Sequence, residues 1–500
     1  MREGAWLDQS LFCHDLPTAS DPSIGPVLVT GASGYIGGRL VPELIARGYR
    51  VRVMVRSDPE EYARRWPQAE IVLADVLDSE SLRRALDGVA VAYYLIHSML
   101  LGRREFAAAD IQAASNFRRV AEEKRLKRIV YLGGLGDVHA RLSRHLRSRI
   151  EVAEELKRGK VPVTILRAAI IIGSGSASYE IIKHLVSRLP VIAVPRAIRS
   201  LCQPIAVRDV VKYLVGVLEK PETSGRSFDI GGPDILTYED MMKTVAQVLQ
   251  KRRLFIHVPG LLGIRTYAFL AGLLTPVPSQ ITRCLMEGLR NDVVCEGGAI
   301  RTIIPFENIT YREAIVRAMS REEQDRVHTR WSDTYPPAYA LAMKLVELPA
   351  GPRFVARYSI TTTKPAASLY QATCRIGGKD GWFHYNWMWR MRGMLDRLLL
   401  GVGSVRGRRH LGQLAVNDVV GFWRVEDAVE NARLLLRAEM KLPGRAWLEF
   451  SIGEEDARRR LEVSAYYDTS SLAGRIYWYI FLPFHDLIFK GLLHQIERRS

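Results

Sequence analysis

The sequence predicts an α/β fold, a doubly wound parallel sheet, followed by a separate α+β domain with an antiparallel sheet and one long C-terminal helix. Three observations carry this. Short β-rich runs alternate with amphipathic stretches through the first third of the chain. A glycine-rich loop joins the first of those runs to the first helical stretch. Beyond about Val346 the pattern changes to period-two alternation with short connections.

The first runs are Pro26–Gly31, Arg50–Arg56, Glu70–Asp75, Val89–His97, Arg128–Gly134 and Val161–Ile171. They are nearly continuous in apolar residues, as strands covered on both faces must be. Segments such as Ile36–Arg47 and Arg103–Lys124 are long and amphipathic enough to be crossover helices. From about Pro204 to Arg330 the pattern is irregular and more helical, where open α/β enzymes carry a substrate cap. The stretch His328–Ala340, with its Pro336-Pro337 pair, reads as a linker. Val419–Val425, Ala432–Met440, Ala446–Ile452 and Arg460–Asp468 then follow one another as antiparallel strands. In the third, Leu448, Phe450 and Ile452 take one face and Trp447, Glu449 and Ser451 the other. A helix is expected from Leu472 to about Arg498. These boundaries divide the chain into an N-terminal tail (1–24), a nucleotide-binding domain with its cap (25–340) and a second domain (346–500).

Composition narrows the function. The chain has 500 residues, 48 % hydrophobic and 25 % charged, which fits globular domains and excludes a disordered chain or a disulfide scaffold. Five cysteines, widely spaced and without a CxxC pair, favour free thiols in a reducing, cytoplasmic setting. No HExxH pattern supports a metal site and no GxSxG elbow supports hydrolysis. The net charge of +17 is spread along the chain, and its densest basic stretch is Arg406–Arg409, so no nucleic-acid partner is expected. The opening residues carry Asp8, His14 and Asp15 and do not read as a signal peptide. No apolar run reaches the roughly 18–20 residues needed to span a bilayer.

The chemistry-bearing motif is Thr30-Gly31-Ala32-Ser33-Gly34-Tyr35-Ile36-Gly37-Gly38. Gly31 permits a tight turn, Gly34 lets backbone approach a pyrophosphate, and Gly37 allows close helix–strand packing. The first N–H groups of the helix then face the phosphates. The second strand ends in Arg56-Ser57, nineteen residues past Gly37, where an acidic residue would bind the ribose diol of NAD(H). Guanidinium and hydroxyl suit a 2′-phosphate, so NADP(H) is preferred, with NAD(H) the second choice.

Residues of about 25–330 resemble the atypical, extended short-chain dehydrogenase/reductases, closest to the NmrA-like NAD(P)H-binding group, with a Rossmann-like fold. The resemblance rests on TGASGYIGG, VRVMVR, ADVLD, YYLIHSM and RIVYLGGLG. It implies cofactor contacts from Gly31, Ser33, Gly34, Tyr35, Ile36, Gly37, Arg56, Ser57, Asp75 and Val76. It places Leu95, Ile96 and His97 along the cofactor ribose and Gly133 and Gly134 near the nicotinamide. The superfamily's Ser/Thr after strand five and Tyr-x-x-x-Lys on the next helix are missing, for that helix contains no tyrosine. The pair Tyr179–Lys183 lies after strand six and reads first as chance placement on a helix face. His145 and Arg149, one turn apart in the expected segment, are the other candidates for acid and anion holder; a basic surface turn is their plainer reading.

Two functions follow: a reductase of an apolar or conjugated carbonyl or quinone-like molecule, or a domain that binds NADP(H) to sense redox state or stabilise an assembly. Residues of about 350–498 resemble the START-like, helix-grip superfamily, on their pattern and on Asp380–Gly401. That resemblance implies an apolar cavity, with the aromatics of 382–389 and 477–484 either lining it or forming plain core. A small hydrophobic ligand is the expected partner. Contact of the terminal helix, with Lys490, Arg498 and Arg499, with an anionic membrane ranks below it.

Overall fold

The computed structural model describes residues 11–57, 59–96, 105–136, 144–195, 200–258, 264–275, 277, 279–287, 291–323, 343–378, 380–399, 401–403, 413–455 and 458–500. The chain divides into two compact units, residues 1–269, 281–324 and 328–334, and residues 270–280, 325–327 and 335–500. The expected linker, His328–Ala340, lies outside the described residues.

The first unit is built on a seven-stranded sheet. Its strands are β1 (Val27–Val29), β2 (Val51–Val55), β3 (Glu70–Leu73), β4 (Val91–Tyr94), β5 (Arg128–Gly134), β6 (Val163–Ala168) and β7 (Ser227–Ile230). The order is β7-β6-β5-β4-β1-β2-β3, and every pairing is parallel. Alternation along β1 shows why its sequence is continuously apolar: Val27 and Val29 enter one core, and Leu28 enters the core on the other face. The helices are α1 (Gly37–Ala46), α2 (Ser79–Ala85), α3 (Glu105–Glu123), α4 (Arg144–Lys157), α5 (Ala177–Arg188) and α6 (Val207–Glu219), with others between them. The chain reverses its winding between β1 and β4, which opens a crevice at their carboxyl ends.

Two features depart from the sequence reading. The sheet has a seventh strand, β7, inside the stretch that reads as irregular; its register on β6 runs from Ser227–Ile165 to Ile230–Ala168. Residues 11–24 are not a loose tail. Phe12, Cys13 and Leu16 are buried in the core, and the Phe12 and Cys13 N–H groups donate to the Glu43 carboxylate at 2.5 and 3.0 Å. The Arg47 guanidinium donates to the carbonyls of Cys13 and Thr18 and to the buried Glu219 carboxylate. A short polar segment carries no periodic signal, so its docking depends on partners distant in the sequence.

The second unit has a six-stranded antiparallel sheet of β8 (Phe354–Thr362), β9 (Val419–Val420), β10 (Trp423–Val429), β11 (Arg433–Ala438), β12 (Arg445–Glu455) and β13 (Arg458–Asp468), in the order β8-β13-β12-β11-β10-β9. The run Val419–Val425, expected as one strand, is a hairpin: Gly421 turns it with φ +63°, and Val420 pairs with Trp423. One sheet face supplies Leu434, Leu436, Leu448, Phe450, Leu461 and Val463 to the core. The other carries ion pairs such as Arg433–Glu449 at 2.6 Å and the Trp447 indole N–H donating to Glu426 at 3.0 Å. The core face is covered by α7 (Ala366–Cys374), α8 (Asn386–Leu398) and α9 (Leu472–Arg499), the last through Phe489, Leu492, Leu493 and Ile496.

The aromatics before and within the helices divide rather than all facing inward. Trp382 stacks on Trp389 at 4.0 Å and Trp478 on Tyr467 at 5.7 Å, both within the core layer. Trp387, Tyr479 and Phe484 point outward, which corrects their assignment to a cavity lining or core.

Candidate functional site

The glycine loop leaves β1 at the crevice and opens α1. Thr30 fixes its start: its hydroxyl donates to the Tyr93 carbonyl at 2.9 Å and accepts the Leu95 N–H at 3.2 Å, tying the ends of β1 and β4 together. Gly31 adopts φ +64°, and a Cβ there would lie 2.7 Å from the Leu95 carbonyl oxygen. At Gly37 a Cβ would meet the Gly31 carbonyl oxygen and lie 2.8 Å from the Ala32 Cα, so only glycine lets helix and loop close together. The Gly34 N–H donates to the Gly31 carbonyl at 2.9 Å and closes the turn. No side chain caps α1 at Ile36, which leaves the helix start open to an anion.

The sequence reading missed what braces this loop. Arg39 is buried, stacks 4.2 Å from the Tyr35 ring centroid, and donates to the Tyr35 and Ser174 carbonyls at 3.1 and 2.9 Å. Burial pushes the Tyr35 phenol above its ordinary pKa, so Tyr35 braces the loop as a neutral side chain. An arginine three residues into a helix gives no signal of such a role, because its second partner, Ser174, lies 135 residues away.

The remaining expected cofactor residues that the structure describes lie along the same edge. Arg56 and Ser57 follow β2 and are exposed. Arg56 has no hydrogen-bond or ion-pair partner among the described residues, whereas Arg52 is held by Glu70 at 2.8 Å. Asp75 follows β3; its carboxylate accepts the Leu77 N–H at 2.9 Å, and its N–H donates to the Ser81 hydroxyl at 3.1 Å. The cap of α2 is Asp78 and not Asp75. Val76 is buried, and its carbonyl accepts the Asn116 amide at 3.1 Å. Leu73 and Leu77, on either side of Asp75, expose their side chains as an apolar ledge that the sequence reading did not single out. Leu95 and Ile96 are half-buried at the end of β4, while His97 lies outside the described residues.

Tyr179 and Lys183 are not presented at this edge. Tyr179 is fully buried among Met241, Val245, Tyr311 and Ile315, and the Lys183 ammonium lies over its ring, 5.4 Å from the centroid. A phenol closed from solvent does not meet a substrate, so this pair belongs to the packing of the cap region. Arg149 donates to the Leu132 carbonyl at 3.2 Å, and its own carbonyl accepts the Tyr131 hydroxyl at 3.1 Å; both bonds bind α4 to β5. His145 falls in α4, and its side chain lies outside the described residues. Gly134 packs under α4, where a Cβ would lie 2.7 Å from Leu146.

Comparison with known proteins agrees with this geometry. Residues 31–197 match the family described as "NAD(P)H-binding". Residues 348–492 match a family described as "Protein of unknown function (DUF2867)". The chain is similar to a ceramide reductase of Caulobacter vibrioides, 26 % identical over 260 residues, which covers 52 % of this chain and 80 % of that one. It is similar to the mitochondrial NADH dehydrogenase [ubiquinone] 1 alpha subcomplex subunit 9 of Dictyostelium discoideum, 26 % identical over 228 residues, covering 43 % of this chain and 62 % of that one. It is also similar to a divinyl chlorophyllide a 8-vinyl-reductase of Zea mays, 25 % identical over 250 residues, covering 47 % and 61 %. The matches thus span about three fifths of the length of the last two relatives. The first unit thus has a Rossmann-like fold, and within it residues 31–197 match an NAD(P)H-binding family.

Proposed function

We propose that the protein is an NADPH-preferring oxidoreductase of the atypical short-chain dehydrogenase/reductase type, acting on an apolar or conjugated small molecule. The observation that carries the cofactor preference is Arg56, exposed at the end of β2 with no partner among the described residues. A free guanidinium there suits the 2′-phosphate through charge-assisted hydrogen bonds. The Gly31–Gly37 turn and the open start of α1 suit the pyrophosphate, and the Leu73–Leu77 ledge suits the adenine. When bound, the cofactor supplies hydride; the chain supplies position, with Thr30 and Arg39 holding the loop rigid. Two relatives support the acceptor class, since one is named for a ceramide and the other for a vinyl group of a chlorophyllide. A conjugated acceptor also asks little of an enzyme acid, in keeping with a helix after β5 that contains no tyrosine. We further read the second unit as a helix-grip domain that holds a hydrophobic ligand. A six-stranded antiparallel sheet with the long α9 packed on its core face supports this.

A second reading is a non-catalytic NADP(H) sensor or assembly subunit. The burial of Tyr179 favours it, as does the likeness to a protein named as a subunit of NADH dehydrogenase. The test is titration with NADPH and NADH followed by an acceptor screen of quinones and conjugated enones at the nicotinamide absorbance. Stoichiometric oxidation of NADPH by any acceptor supports the first reading. Tight NADPH binding without oxidation across the screen supports the second.

A further inference from the structure

The helix layer of the second unit is apolar on both of its sides. Its inner side closes the core through Trp389 and Phe489. On the outer side of α8, Trp387, Met391, Met394, Leu395 and Leu398 repeat at helical spacing, each 47–60 % exposed. On the N-terminal half of α9, Leu472, Ile476, Tyr479 and Ile480 form a second stripe, each 51–71 % exposed. Both helices pack on the same face of the sheet, so both stripes belong to the outward side of one layer. Scattered exposed leucines are ordinary; two stripes at helical spacing on one helix layer are not.

The exposed charges that α8 and the N-terminal half of α9 carry beside these stripes, Arg390 and Arg475, are basic. The single acid of α8, Asp396, is fully buried, where it accepts the N–H groups of Gly403 and Lys441. Arg390 is exposed beside the α8 stripe. From Leu472 to His485 the only ionised side chain of α9 is Arg475, and the following Asp486 is paired with Lys490 at 2.7 Å. We propose that the outward face of α8 and the N-terminal half of α9 docks the protein on an anionic lipid surface.

Three arguments select that occupant. Exposed Trp387 and Tyr479 are the side chains that settle at the boundary between headgroups and acyl chains. A basic rim gains energy from anionic headgroups, whereas two copies of a chain with net charge +17 repel each other. Among the described residues no helix is long and apolar enough to cross a membrane, which leaves the in-plane arrangement.

The test is flotation of the full-length protein with vesicles of phosphatidylcholine alone and of phosphatidylcholine with phosphatidylglycerol. The protein is expected to float with the anionic vesicles, less with the neutral ones, and less again as salt is raised. W387E/L398E and I476E/I480E are each expected to weaken partitioning roughly tenfold or more, because large apolar side chains no longer leave water. These positions are exposed, so an unchanged melting temperature and NADPH affinity will show that each variant is folded. Failure of the wild type to float, equal binding to both vesicle types, or variants that bind as the wild type does would each overturn the proposal. So would a concentration-dependent dimer that the same variants abolish while vesicle binding is absent, since the face would then be a contact between copies.

Discussion

Replacing Arg56 with alanine separates the two nicotinamide cofactors. The side chain is exposed and makes no ion pair among the described residues, so its truncation removes no contact of the described fold. Stability should stay within about 0.5 kcal/mol. With NADPH bound, the guanidinium would make a charge-assisted hydrogen bond to the 2′-phosphate, a contact of about 1.5–3 kcal/mol. That converts to roughly ten- to hundredfold weaker NADPH binding. NADH has no such group and should bind within about twofold of the wild type. Nicotinamide fluorescence titration of both cofactors reads the difference directly. Arg52→Ala is the matched control, because Arg52 is held by Glu70 and by the Ala85 and Asp87 carbonyls. It should lower the melting temperature and leave the NADPH-to-NADH ratio unchanged. An equal loss of affinity for both cofactors on Arg56→Ala would refute the reasoning, and so would no loss at all.

Other outcomes can be checked alongside. Burial raises the Asp209 carboxyl to about 6, even though it accepts the Ile309 N–H at 3.0 Å. A carboxyl whose folded value lies above its unfolded one destabilises the fold as pH rises from about 4 to 6. Asp209→Asn, which keeps the acceptor for Ile309, should therefore remove that slope in denaturant titrations and raise stability at neutral pH by about 3 kcal/mol at most. Arg47→Ala strands the buried Glu219 carboxylate and releases residues 11–24, at a cost of about 3 kcal/mol; limited proteolysis should then cut that segment first. Tyr179→Phe should leave NADPH binding and any turnover unchanged, because the ring is core; a tenfold fall in turnover rate at constant stability would return the residue to the catalytic candidates.

The nucleotide-binding half was legible because its signals are local. A doubly covered strand must be apolar throughout, a tight turn at φ +64° wants glycine, and the step from β1 into α1 is written in consecutive residues from Val27 to Gly38. The β2 end was readable for the same reason, since Arg56 simply follows the last residue of the strand. Period-two alternation likewise put Leu448 and Phe450 on one face, which the structure shows to be the core face. Only the tertiary structure decided the rest. Arg39 braces the loop through Ser174, residues 11–24 dock through Arg47 and Glu219, and β7 joins the sheet beside β6. It also decided that Tyr179 is core while Trp387 and Tyr479 face outward. Helical spacing states which residues share a face, and whether that face meets protein or water is set by elements that arrive from elsewhere in the chain.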